Sequence, residues 1–269
     1  VRLGREADGT ATIEEVLPRE NALSRRAAGR KAGIEQIIAA NLDHAWVVQS
    51  VAMPRLNPGL VDRFLVTCAR DEIAAGIVLN KIDLLDDEDS GASLVEIEWF
   101  IDLYTSLGYP VVPVSTLEDG GAEPLGEVLA GRTSLFTGAS GVGKTSLLNA
   151  VAPGMDLRVG EVSDRTLKGK HTTTFATMYP LPGAAGFVID TPGIREFGVT
   201  SLEPHDLGHY FPEFEALLPD CRFAPCTHDH EPGCAVKEAV NEELVALSRY
   251  QSYLSMLEGL RDEATDVGR

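Results

Sequence analysis

The sequence predicts an α/β fold organised around a parallel sheet, with a small β-rich unit ahead of it and a cysteine-bearing, mostly helical unit behind. Three observations carry that prediction. Between residues 45 and 190, short apolar runs alternate with stretches of helical spacing. A glycine-rich turn at 138–143 sits between one such run and one such stretch. Three of the 4 cysteines crowd into residues 221–234. Strands alternating with helices build βαβ units, whose sheet is parallel and covered on both faces.

Residues 1–45 contain β-like runs, one of them at 11–17, and a polar interval holding Arg25, Arg26, Arg30 and Lys31. They are expected to form part of a small β-barrel, complete or abbreviated, whose basic loop suits RNA phosphates. Residues 46–200 carry the alternation. Strands are expected at 45–51, 73–79, 110–114, 133–137 and 186–190, and helices at 60–69, 96–107 and 144–151. Residues 201–269 form the third unit, ending in one amphipathic helix over 235–261.

The chain of 269 residues holds 23 Lys+Arg against 41 Asp+Glu, a net charge of −18. That excludes a generally basic, nucleic-acid-coating surface. The acid is not spread evenly: the net charge is 0 over 1–45, −10 over 46–136, +1 over 137–200 and −9 over 201–269. An anionic ligand therefore belongs in the first or third stretch. No apolar run approaches a membrane span and no signal peptide opens the chain, so a soluble, cytoplasmic, monomeric protein without a membrane partner is expected.

Gly138, Ala139, Ser140, Gly141, Val142, Gly143, Lys144 and Thr145 fit the pattern G-x-x-x-x-G-K-[ST], directly after an apolar strand and before a helix. Glycines let successive backbone N–H groups curl around phosphate oxygens, and the helix N-terminus adds positive potential. Lys144 can reach the β- and γ-phosphates, Thr145 can ligate Mg²⁺, and Ser146 follows in the same turn. A nucleoside triphosphate is the expected ligand. Asn80, Lys81, Ile82 and Asp83 follow the strand at 77–79. A carboxylate at Asp83 can accept from both N1–H and the 2-amino group of guanine, a donor pair adenine lacks, which favours GTP or GDP over ATP. Ser115 follows another strand and can brace that pocket. Asp190, Thr191, Pro192 and Gly193 follow a third. There Asp190 can hold Mg²⁺ through water and the Gly193 amide can sense a γ-phosphate. Thr172 and Thr173, beside Thr174, lie where a switch would place its Mg²⁺-binding threonine.

The order of these parts is rotated: the base readers at 80–83 and Ser115 precede the phosphate loop, switch and Asp190. Every part still lies at the carboxyl end of a strand facing one crevice, so rotation leaves the site intact. It makes the segment near Ile194 feed directly into residues 201–269, where nucleotide state can pull on the last unit.

Cys221, Cys226, His228 and Cys234 bring three thiols and an imidazole within 14 residues, with Pro225, Pro232 and Gly233 supplying turns. Four such donors suit a closed tetrahedral Zn²⁺ site, one structural ion per chain, with His230 a spare donor.

With NKID at 80–83, GASGVGKTSLLNA at 138–150, GKHTTT at 169–174, DTPGIREFG at 190–198 and the Cys/His cluster, the chain resembles the circularly permuted GTPases, specifically those dependent on the small ribosomal subunit. The resemblance covers nearly the whole chain. It implies an N-terminal OB-fold, a permuted P-loop GTPase domain and a C-terminal zinc domain with His228 as the fourth ligand. It also implies GTP hydrolysis stimulated by the small subunit and its rRNA during late maturation.

Many GTPases orient the attacking water with a Gln after D-x-x-G. Ile194 occupies that place and can neither donate nor accept. His171, beside the switch threonines, is the expected replacement, with Arg195 a lesser candidate that a salt bridge to Glu196 would occupy. Two competing readings follow: a GTP-gated rRNA-binding module with negligible hydrolysis, suggested by Ile194, and a kinase or ATPase, which NKID opposes.

Overall fold

The computed structural model describes residues 1–5, 10–26, 35–85, 87, 89–153, 176–181, 183, 186–191, 199 and 202–267. Where a barrel is expected, the described residues form two separate antiparallel hairpins. Strand β1 (Arg2–Arg5) pairs with β2 (Ala11–Glu15), and β3 (Ala22–Arg26) with β4 (Glu35–Ala40). The second hairpin is anchored. Leu23 is fully buried among Leu42, Phe64 and Cys68, and the Ser24 amide donates to Asp71 Oδ2 at 3.2 Å. Of the basic group, Arg30 and Lys31 lie outside the described residues.

Six strands make the central sheet. β5 (His44–Ser50), β6 (Ala75–Asn80), β7 (Val111–Val114), β8 (Thr133–Thr137) and β10 (Gly186–Asp190) run parallel, while β9 (Thr177–Leu181) is antiparallel at one edge; the order is β7-β6-β5-β8-β10-β9. β5 and β6 are buried at every position, which is why they read as unbroken apolar runs without alternation. β5 opens at His44, slightly ahead of the composition change at residue 46, because pairing starts with the Asp43 amide donating to the Thr133 carbonyl at 2.9 Å. β9 is the strand that periodicity misses. It carries Pro180, which an edge strand tolerates, and most of it is exposed.

Helices cover both faces. α1 (Pro58–Arg70) starts where the Asn57 side chain accepts from the Leu60 amide, with Pro58 in the first turn. α2 (Leu94–Ser106) is capped by Ser93, α3 (Glu123–Leu129) is a short helix that the sequence pattern leaves unmarked, and α4 (Lys144–Val151) follows the glycine-rich turn. One core packs Phe64, Leu65 and Phe100 against Val47, Ile77 and Leu135; the other packs Leu147 and Leu148 against Trp46, Val48, Phe136 and Val188.

The C-terminal unit builds its own core. The short helix α5 (Pro212–Glu215), α6 (Ala235–Asn241) and α7 (Leu247–Val267) enclose Phe211, Phe214, Val236, Tyr253, Leu257 and Leu260. The single helix expected over 235–261 is two helices. Glu243 takes a left-handed φ of 59°, and the Leu244 and Val245 amides both turn back to the Ala239 carbonyl. That closure buries Val245, which a straight helix would not. Arg249 of α7 joins this unit to the sheet domain. Only 1% exposed, it donates to Asp62 of α1 at 2.5 Å and to Glu213 of α5 at 2.6 Å, and its guanidinium lies 4.7 Å from the Phe211 ring centre. Tyr104 of α2 donates to the same Asp62 oxygen at 2.6 Å.

Candidate nucleotide site and metal centre

Parallel strands bring their carboxyl ends to one edge, and the sequence-selected residues collect there: Asn80 ends β6, Ser115 follows β7, Gly138 follows β8 and Asp190 ends β10. The loop from Gly138 to Gly143 has the backbone that phosphate needs. Gly138 (φ 149°) runs so close to β5 that a Cβ would lie 2.4 Å from the Val48 carbonyl oxygen. Gly143 (φ 94°) leads into α4, and a Cβ there would stand 2.3 Å from Asn80 Nδ2. Ser140 and Gly141 are exposed, while Val142 is buried and pins the loop to the core. Lys144 folds its ammonium over the loop, donating to the Gly138 and Ala139 carbonyls at 2.8 and 2.9 Å. Burial lowers its pKa, opposed by the charge of Asp190. Thr145 and Ser146 are half-buried in the first turn of α4.

The base-reading end is tied to this loop. Asn80, 1% exposed, donates from Nδ2 to the Val142 carbonyl at 2.8 Å. Lys81 (φ 64°) reaches across to the Met53 carbonyl at 2.5 Å. Asp83 sits in a 3-10 turn spanning Ile82–Leu85, where fully buried Ser115 donates its hydroxyl to Oδ1 at 2.5 Å. Ser115 is fixed in turn, its amide donating to the Gly121 carbonyl at 3.1 Å. The serine orients the carboxylate, whose second oxygen can accept a further hydrogen bond.

Asp190 supplies the remaining charge. Burial raises its pKa, opposed by Lys144 and by the Thr191 amide, and its Oδ1 is buried without a hydrogen-bond partner among the described residues. A buried carboxylate oxygen of this kind, together with a hydroxyl such as that of Thr145 in the first turn of α4, is a donor set that suits Mg²⁺. Among the other sequence-selected residues, His171, Thr172, Thr173, Gly193, Ile194 and Arg195 lie outside the described residues.

In the C-terminal unit, one ligand atom each from Cys221, Cys226, His228 and Cys234 lies within 4.8 Å of every other. His228 turns Nδ1 to the thiols, 3.5 Å from Cys221 Sγ and 3.3 Å from Cys234 Sγ. Its left-handed backbone (φ 52°) and its packing against Phe214 and Tyr253 aim the ring. Three thiols and an imidazole in this geometry fit tetrahedral zinc with no open position, a structural site. His230 is not part of the cluster: its side chain is 74% exposed and faces Asp229.

The family profile described as RsgA GTPase matches residues 16–200. The chain belongs to the RsgA GTPase family. A protein of Bacteroides fragilis named small ribosomal subunit biogenesis GTPase RsgA is 43% identical over 251 residues, 93% of this chain and 79% of that one. One of the same name from Gemmatimonas aurantiaca is 43% identical over 265 residues, 98% of this chain and 82% of that one. Among solved structures, YjeQ from Thermotoga maritima superposes with a TM-score of 0.77 at 36% identity, covering 96% of this chain and 81% of that one. YloQ, titled a circularly permuted GTPase, gives 0.72 at 27% identity, covering 97% of this chain and 79% of that one.

Sequence reasoning missed the residues that hold this RsgA-family site in shape. The Val142 and Met53 carbonyls that receive Asn80 and Lys81 are backbone groups, invisible to a side-chain motif. Around the metal cluster, Tyr250 donates to the His228 carbonyl at 2.7 Å and Tyr253 to the Thr227 carbonyl at 2.8 Å. Arg261, further along α7, donates to Asp229 at 2.7 Å. The spacing 250, 253, 261 places three polar tips along one side of the helix, and that pattern was the available clue.

Proposed function

We propose that this chain binds GTP at the strand ends and hydrolyses it to GDP and phosphate on the small ribosomal subunit, during late maturation of that subunit. The GTPase family membership supports the reaction, and the relatives' shared name supports the partner. The observation that carries the reading is the continuous contact from base reader to phosphate loop, Ser115–Asp83 at one end and Asn80–Val142 at the other.

In this reading Asp83 accepts from the guanine edge and so discriminates against adenine, which presents no paired donors there. Gly138, Ala139, Ser140, Gly141, Val142 and Gly143 wrap backbone amides around the phosphates. Lys144 leaves the Gly138 and Ala139 carbonyls for phosphate oxygens, an exchange favoured because a charged acceptor gives the stronger hydrogen bond. Thr145, Thr173 and Asp190 would hold Mg²⁺, which when bound would supply charge neutralisation at the phosphates. Gly193 senses the γ-phosphate. His171 orients the attacking water in place of the Gln that Ile194 excludes, and the subunit promotes this step. Turnover is therefore slow alone and fast on the partner.

The rRNA contacts fall to the basic stretch at 25–31, and the zinc unit passes on the switch. The protein works as a cytoplasmic monomer; no helix among the described residues is long and apolar enough to cross a membrane. Phosphate release from GTP, measured with and without isolated small subunits for the wild type and His171→Ala, tests the reading. Strong stimulation of the wild type and its loss in the variant are expected. Equal rates with and without subunits would leave only the gated RNA-binding module, and full stimulation of the variant would remove His171 from its role.

A further inference from the structure

Between α2 and the connection from α6 to α7 lies a groove of about 540 Å³ whose lining includes Trp99, Asp102, Leu103, Glu243, Leu244 and Leu247. Trp99 is 50% exposed, Leu244 73% and Leu247 59%. Apolar side chains scattered singly over a surface are ordinary, but three this open around one concavity form a contiguous patch, and such patches are interaction sites. An exposed tryptophan at its wall is the residue type that most often dominates binding energy. None of these residues belongs to the nucleotide site or the metal cluster.

The charge around the groove is of one sign. Asp102 and Glu243 line it, both exposed, and no Lys or Arg does. Exposed Glu98 stands one helical turn before Asp102, and exposed Glu242 precedes Glu243. Arg249, the nearest cation along α7, is buried between Asp62 and Glu213 and adds nothing to the surface. A polyanion is repelled here, and a cationic partner with an apolar anchor is attracted. We propose that this groove docks a basic peptide segment of a protein partner, with an aliphatic or aromatic side chain against Trp99 and Leu247 and Lys or Arg against Asp102 and Glu243. Because one wall is α2 of the sheet domain and the other is the α6–α7 connection, a segment bound there touches both units at once.

The chain has 2 tryptophans. Trp46 is 1% exposed, so a change in emission on binding reports on Trp99. The probe is a synthetic amphipathic helical peptide with Leu and Phe on one face and Lys and Arg on the other. The same peptide with Glu replacing Lys and Arg, and a single-stranded RNA oligonucleotide, serve as comparisons. The basic peptide is expected to shift Trp99 emission to the blue in a saturable titration against the full chain. The double substitution Asp102→Lys with Glu243→Lys should weaken binding about tenfold or more, with GDP affinity unchanged as the check on folding. Leu247→Ser, on the opposite wall and without a charge change, should weaken it as well. The inference is overturned if the basic peptide does not bind, if it binds both variants as tightly as the wild type, or if the acidic peptide or the RNA produces the same shift.

Discussion

Asn80 donates a 2.8 Å hydrogen bond to the carbonyl of Val142, joining the end of the base-reading strand to the middle of the phosphate loop, although 62 residues separate them in the chain. The permuted order is the reason for that separation. In space the two motifs stand at strand ends with only β5 between them, and the bond ties one to the other across it.

Removing the bond should loosen both halves. Asn80→Ala leaves the Val142 carbonyl buried and unpaired, a loss of about 1–3 kcal/mol. Affinity for GDP should fall by about tenfold or more in a fluorescent-nucleotide titration. Gly143→Ala should do at least as much harm, since its Cβ would stand 2.3 Å from Asn80 Nδ2 on a left-handed backbone. Wild-type affinity in both variants would show that the loop holds its shape without Asn80.

The Asp83 carboxylate is held by Ser115, and in the proposed reading it sets the choice of base. Asp83→Asn puts an N–H donor where an acceptor is needed, so it should weaken GTP binding by about a hundredfold. It should strengthen binding of xanthosine triphosphate, whose 2-carbonyl accepts. Competition between the two nucleotides measures this directly, and an unchanged preference for GTP would place base selection elsewhere.

Cys226 is 7% exposed within the cluster that Tyr250, Tyr253 and Arg261 surround. A structural metal contributes folding free energy, so the wild type should carry one zinc per chain by elemental analysis, and Cys226→Ser should lose it and lower the melting temperature by roughly 5–10 °C. GDP affinity should change little. A variant that keeps both its zinc and its melting temperature would remove Cys226 from the ligand set.

His44 makes stability pH-dependent. Burial, and secondarily the charge of Arg132, hold its pKa down from 6.5 to about 4, against a hydrogen bond with the Ala75 backbone. The unfolded chain takes up the proton near 6.5 while the folded chain waits until about 4. The stabilisation is therefore complete above about 6.5 and drains away as pH falls toward 4. His44→Phe retains a ring against Trp46, 4.2 Å away in the wild type, and has nothing to titrate. Urea midpoints at about pH 7.5, 6 and 5 should fall more steeply for the wild type than for the variant, and parallel curves would exclude His44 as the source.

Much of the fold was legible because the physics that builds it is local. Buried parallel strands such as β6 must be apolar throughout, and the turn at 138–143 must be glycine-rich to hold the φ values seen at Gly138, Gly141 and Gly143. The metal cluster was legible for a similar reason, since its four ligands lie within one short loop. What stayed hidden depends on distant partners. β9 exists because β10 offers an edge, and its own residues carry no alternation that would announce it. The break between α6 and α7 appears only when Val245 finds the C-terminal core. No motif singles out Arg249, and only the fold brings Asp62, 187 residues away, to 2.5 Å from it.

Equilibrium competition tests most directly whether the rotated sequence builds a single guanine-selective nucleotide site. With a fluorescent GDP analogue bound to the chain in the presence of Mg²⁺, unlabelled GTP should displace it stoichiometrically, while ATP at about a hundredfold excess should leave it in place. Displacement by ATP at the same concentration as GTP would contradict the account, because Asp83 and Ser115 would then not be reading the base.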